Sequence, residues 1–215
     1  MTTITFPSTP KPQTMSWRLI QPSQNNVSGW TGRRQVISSG RGWWECDITM
    51  PPIVGESNMR AWLAFMALAQ GSANDFQIRV LPSEQTSGWP SPSPELYIDF
   101  LGGAYYVGDE PSVKGAGQTG RSLQTSGWPP STTVLYAGQY ITINNQLLQL
   151  TANIATNSAG EATVQFAPPI RVSPSDGDLI EFRNPYALMY SVENFSYSVE
   201  PGMVYSISFT LRESF

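Results

Sequence analysis

The sequence predicts a mainly β protein. Its N-terminal domain is expected to be β-sandwich or split-barrel-like with one α-helix, and a small OB-like β-barrel forms a second domain. Three observations predict this. Residues Trp43–Met50 alternate Trp44, Cys46, Ile48 and Met50 against Trp43, Glu45, Asp47 and Thr49, the period of two that marks a half-buried strand. Between Thr133 and Arg183 five short β-prone runs follow one another with turn residues between them, the pattern of a small closed barrel. A single stretch, Glu56–Gln70, carries helical spacing instead.

Composition fits that class. The chain has 215 residues, enough for a substantial core without disulfides or metals. Gly and Pro number 18 each, and both punctuate turns. Charged residues make up 13%, about half the usual ~25%, leaving large neutral surfaces.

From the N-terminus, residues Thr2–Phe6 are β-prone. Pro7, Pro10 and Pro12 block continuation, so the segment reads as an arm. Strands are expected at Met15–Ile20, Arg33–Ser38 and Trp43–Met50. In the helix, Met59, Trp62, Leu63, Met66 and Ala69 follow the i, i+3, i+4, i+7 rule. Glu56 suits its positive end and Gly71 its stop. Its other face, Arg60, Ala61, Ala64 and Ala67, is small, so the helix is expected to be deeply buried or covered by a second surface. Strands at Phe76–Leu81 and Leu96–Leu101 flank a Pro-rich stretch, and a Gly-rich polar run from Asp109 to Gly120 marks a boundary.

The expected barrel strands are Thr133–Tyr136, Tyr140–Asn144, Gln146–Ile154, Glu161–Pro168 and Asp178–Arg183. Asn144-Asn145 fits a two-residue I′ hairpin, and Asn157-Ser158-Ala159-Gly160 a four-residue loop. Two long runs close the chain, Ala187–Val199 and Val204–Arg212, joined at Pro201-Gly202 as a long hairpin. The domains are thus 1–107, completed by the 187–215 hairpin, and 108–186.

Several function classes fall away. Net charge is −4 with only two lysines, Lys11 and Lys114, so phosphate neutralisation is no binding strategy here. There is no histidine, which removes the commonest general base and metal ligand. The lone Cys46 sits on the apolar side of its strand and reads as a small buried hydrophobe. Gly115-Ala116-Gly117-Gln118-Thr119-Gly120 matches G-x-G-x-x-G, but no helix follows and residue 140 is Tyr, so it reads as a connector. The carboxylate pairs Asp109/Glu110, Asp176/Asp178 and Glu45/Asp47 read as solvated groups in turns or on a strand's polar face. No catalytic residue, cofactor or metal is expected. The N-terminus has no signal-peptide pattern and no run spans a bilayer, so a soluble, cytoplasmically made protein is expected.

The aromatic residues remain. Trp17, Trp62 and one of Trp43/Trp44 fit core positions. Gln85–Pro90 recurs as Gln124–Pro129, and Ser28-Gly29-Trp30 echoes both. Trp89 and Trp128 lie in Pro-flanked loops, where an exposed Trp signals a contact. Trp89, Trp128, Trp30, Tyr105 and Tyr106 are therefore the interaction candidates, for a partner subunit or, with Tyr97, for a host-surface glycan.

Residue signatures accompany this organisation: Trp17-Arg18 and Gly32-Arg33 before Trp43-Trp44, Ala61–Gln70, Phe76-x-Ile78, Gly120-Arg121-Ser122-Leu123, Gly127-Trp128-Pro129, Ala137-Gly138-Gln139-Tyr140-Ile141 and Ala167-Pro168-Pro169-Ile170-Arg171. With this order of parts the chain resembles the distal tail (Dit-like) baseplate hub proteins of long-tailed siphophages and phage-like particles. The resemblance implies a hexameric ring in the virion tail tip, assembled in the host cytoplasm. The N-terminal half would form the ring, joining the tail tube protein to the central hub or fibre around a DNA channel. It implies no sequence-specific nucleic-acid binding and no membrane partner. The alternative is a carbohydrate-binding module.

Overall fold

The computed structural model describes residues 3–80 and 110–215. The fold is mainly β, with one helix among the described residues. The chain divides into two compact units, Met1–Arg79 with Tyr186–Phe215, and Val80–Pro185. The expected strand at Leu96–Leu101 and the Pro-rich stretch beside it lie outside the described residues.

The first unit opens with β1 (Thr3–Ile4), β2 (Thr14–Ile20), β3 (Ser23–Val27), β4 (Arg34–Ser38), β5 (Trp43–Thr49), β6 (Ile53–Val54), α1 (Glu56–Ala69) and β7 (Asp75–Arg79). The expected N-terminal arm is not free. Thr3 and Ile4 pair in parallel with Asp75 and Phe76. The Phe6 ring, 5.2 Å from Trp62, 5.3 Å from Phe65 and 5.8 Å from Phe76, ties the segment down. Pro7 and Pro10 end the strand without preventing that anchor.

Helix α1 buries Met59, Trp62, Phe65 and Ala69. Its outward side chains Ala61, Ala64 and Leu68 are exposed within the chain. Gln70 (φ 49°) and Gly71 (φ 69°) turn left-handed and stop the helix, and the Asn74 side-chain amide donates to the Leu68 carbonyl at 2.8 Å.

The second unit contains β8 (Ser112–Val113), β9 (Gly120–Ser126), β10 (Thr133–Leu135), β11 (Tyr140–Ile143), β12 (Gln146–Leu150), β13 (Ile154–Ala155), β14 (Ala162–Ile170) and β15 (Ile180–Glu181). Six of these form one sheet in the order β15-β11-β12-β14-β9-β8, and β10 pairs with β13. A bridge between Ser112 and Leu179 brings the two edges together. The Val113 amide also donates to Asp178 and the Ile180 amide to Pro111, both at 2.9 Å. The sheet is therefore nearly closed into a small barrel. Leu123, Trp128, Ile141, Leu148, Val164, Phe166 and Phe182 fill it. Asn144 (φ 48°) and Asn145 (φ 61°) both take the left-handed conformation that a type I′ turn requires, joining β11 to β12 as expected.

The chain returns to the first unit as β16 (Tyr186–Ser191), β17 (Tyr197–Glu200) and β18 (Val204–Glu213). Its main sheet runs β1-β7-β16-β18-β5-β2, with β17 and β6 on the other part of β18. The expected run Ala187–Val199 is broken. Ser191 faces Leu211 and Tyr197 faces Ile207, so six steps along one strand oppose four along the other. The extra residues fold Phe195 inwards, 5.1 Å from Phe209 and 5.5 Å from Phe65. Burial of that ring outweighs the lost ladder bonds.

Candidate functional site

The carboxylates come first, because any hydrolytic reading depends on them. Glu45 and Asp47 lie on the outer face of β5, between β2 and β18. Arg18 from β2 contacts Glu45 at 3.1 Å and Asp47 at 2.7 Å, and Arg212 from β18 contacts Glu45 at 2.9 Å. The Trp43 indole N–H donates to Glu45 at 3.2 Å and Thr210 donates to Asp47 at 2.7 Å. Glu45 is 8% exposed, so the expectation of a solvated group is corrected for it: arginines from both flanking strands fold over it. Burial raises its pKa, but the hydrogen bonds from Trp43, Arg18 and Arg212 outweigh that and hold it below the ordinary value.

A lowered carboxyl contributes stability above its unfolded-state pKa and loses it as pH falls through the folded value. Glu45→Gln is therefore expected to lower stability by about 1–2 kcal/mol at pH 7, a modest figure because both arginines are partly solvated. The difference from wild type should shrink below about pH 4, where wild type protonates as well. Urea midpoints of both proteins at pH 7 and pH 3.5 check this. A gap that stays constant with pH would refute it.

Of the remaining acidic candidates, Asp109 lies outside the described residues and Glu110 lies 3.8 Å from Arg183. Asp176 accepts from the Gly115 amide at 2.6 Å, and Asp178 from the Ser175 amide at 2.8 Å. The glycine-rich run follows β8 and reaches β9, with Gly115, Gly117 and Gly120 at positive φ. Among the described residues no group of three or more His, Cys, Asp or Glu could hold a metal ion. Cys46 is fully buried, and desolvation, then the neighbouring Asp47 charge, push its thiol up to about 12. A recess of about 440 Å³ opens beside Trp43, Tyr190, Arg212, Glu213 and Phe215. Its charged walls are already engaged: Arg212 by Glu45, and Glu213 by the Trp44 amide at 3.0 Å.

The aromatic candidates separate. Trp128 is 3% exposed and belongs to the barrel core. Its ring lies 5.5 Å from Phe182, and its N–H donates to Thr125 at 2.8 Å. It is therefore corrected from a surface contact to a core residue. Its neighbours Gly127 and Pro129 suggest a loop, but the turn folds the indole under the barrel. Trp89, Tyr97, Tyr105 and Tyr106 lie outside the described residues. Trp30 is fully exposed.

Trp30 crowns the feature that strand patterning missed. Among the described residues β3 and β4 pair only with each other, from Ser23↔Ser38 to Val27↔Arg34. The turn between them is held by the Ser28 amide donating to Arg33 and the Gly32 amide to Ser28, both at 2.9 Å. Every residue from Ser23 to Ile37 is exposed, including Val27, Val36 and Ile37. An isolated two-stranded hairpin is marginally stable in water, and this one shows Trp30, Val27, Val36 and Ile37 to solvent. A second exposed projection is β17 with the start of β18. There Tyr197, Val199 and Met203 face solvent, with Val54 of β6 beside them. These two projections are the candidate site.

No family model matches this chain, and no curated protein matches its sequence. No helix among the described residues is long and apolar enough to cross a membrane.

Proposed function

We propose that this protein is a structural, non-catalytic subunit of the tail tip of a long-tailed phage or phage-like particle. Copies form a ring, expected to be hexameric, that joins the tail tube protein to the central hub or fibre. The observation that carries the reading is the order of parts. A β-rich unit with one buried-faced helix is interrupted after Arg79 by a small barrel and completed from Tyr186 by terminal strands. That is the order for which the sequence resembles the distal tail proteins. The exposed apolar projections of the first unit support self-assembly. The net charge of −4 with two lysines suits a channel through which DNA slides without sticking.

Light scattering over a concentration series tests this. A mass that climbs towards six times 23.7 kDa is expected, with rings visible by negative-stain imaging. A strict monomer at the highest concentration would overturn the ring. The glycan reading loses Trp128 to the core.

A further inference from the structure

One cross-strand row runs over the outer face of the main sheet of the first unit. Arg18 pairs with Glu45, Glu45 with Arg212, and Arg212 with Tyr190. Met189 pairs with Phe76, so one step further along Tyr190 stands opposite Asp75 on that same face. Arg212 leans towards β5, its guanidinium 2.9 Å from Glu45 and 5.5 Å from the Trp43 ring centre. Arg18 is held by Glu45 and Asp47. Two arginines and two carboxylates thus neutralise one another, and Asp75 is left at the end of the row. Two strand spacings, roughly 10 Å, separate its backbone from that of Arg212. Arg79, the cation of its own strand, is four residues along, roughly 13 Å away.

Asp75 is only 6% exposed. The Ser214 hydroxyl donates to its Oδ2 at 3.1 Å, whereas Oδ1 is buried and meets no donor among the described residues. A buried carboxylate oxygen in that condition is uncommon and costly. The recess of about 440 Å³ opens beside it, with Ser214, Tyr190 and Arg212 in its wall together with Trp43, Ser72 and Phe215. That volume is in the range of small-ligand sites, about 300–1,000 Å³. An anion would meet the charge of Asp75. A calcium ion takes about six to eight oxygen ligands, and the wall offers aromatic rings instead. One buried carboxylate beside three rings suits an organic cation on an aliphatic stem: the ammonium donates to the carboxylate while its methylenes lie against the rings.

We propose that the recess beside Tyr190 and Ser214 binds a primary alkylammonium group. Asp75 Oδ1 accepts from the ammonium, and Tyr190 and Phe215 cover the stem. Two sources carry this chemistry, a free aliphatic diamine and the side chain of an exposed lysine on another protein.

Isothermal titration calorimetry on the full chain tests this, with the diamine cadaverine in one arm and Nα-acetyl-lysine methylamide in the other. Saturable binding of at least one probe, at one site per chain, is expected. Asp75→Asn keeps the size of the side chain and an acceptor for Ser214, and should weaken binding at least about tenfold. Tyr190→Leu removes a ring and leaves the carboxylate, and should weaken binding about two- to fivefold. It reads the site by itself if circular dichroism shows Asp75→Asn unfolded. Glu200→Gln removes one charge at the other end of β18 and should change nothing. Binding of cadaverine alone assigns a free amine, and binding of the lysine derivative assigns a side chain. Failure of both probes to bind the wild type would overturn the site, as would binding unmoved by Tyr190→Leu. Equal losses in Asp75→Asn and Glu200→Gln would overturn it too, because the net charge of −4 would then be the attraction.

Discussion

Trp62→Ala is expected to cost the first unit about 3–5 kcal/mol, the range for emptying a fully buried aromatic site. Trp62 has no exposed surface, and its ring meets Phe6 at 5.2 Å, Phe65 at 5.9 Å and Phe209 at 6.2 Å. Its N–H donates to the Thr9 carbonyl at 3.1 Å, a polar tie between the helix and the N-terminal segment. Alanine would remove all of this, leaving a cavity and an unpaired carbonyl. Because Phe6 leans on the same ring, β1 should detach from β7 before the sheet melts. Trp62→Phe keeps most of the apolar volume and loses the hydrogen bond, so it should recover more than half of the loss. Urea unfolding followed by circular dichroism, with hydrogen exchange at Ile4 for the early detachment, checks both. A loss under about 1 kcal/mol for alanine would contradict this packing.

Gly160→Ala is expected to have a comparable effect on the barrel through the backbone. Gly160 has φ +71°, and a Cβ there would sit 2.2 Å from the Trp128 carbonyl oxygen. Left-handed strain alone costs about 1–2 kcal/mol. The clash costs more, because both partners are main chain and cannot rotate away. Separating them breaks the bond from the Trp128 amide to the Gly160 carbonyl at 3.1 Å and unseats the indole from the core. A total of about 3 kcal/mol would lower the barrel's melting temperature by roughly 12–24 °C. Gly138→Ala is the control: φ is +92° there, but nothing lies within 4 Å of a Cβ, so only the strain should appear. Equal losses at the two positions would refute the role given to the Trp128 contact.

Regular burial made much of the fold legible. β5 alternates because one face packs and the other carries Glu45 and Asp47. The helix shows its stripe because Met59, Trp62, Phe65 and Ala69 face inwards. Asn144-Asn145 was readable because the turn's backbone demand is local. The candidate site was far less legible. β3, Ser-Gln-Asn-Asn-Val, buries nothing and so carries no periodic signal. The signal that could have found it was the adjoining Arg33–Ser38 run, which needed a partner strand. Trp128 was misread because its burial depends on Phe182 and the turn at Gly160, both distant in sequence. The break before β17 follows from Phe195 joining rings drawn from three separate elements, α1, β7 and β18.

The interruption of the first unit also orders events on the ribosome. β18 lies between β16 and β5, so the sheet that shelters Trp62, Phe65 and Phe76 stays open until residues 204–213 emerge. Every strand of the barrel is translated before then. The roughly one hundred residues from Val80 to Pro185 take about 5–20 s to make at ordinary elongation rates. Throughout that interval the nascent N-terminal half shows Trp62, Phe65 and Phe76 to solvent while the barrel closes ahead of it. The barrel is thus first to fold though second in sequence, and holdase chaperones have their longest window on residues 1–79.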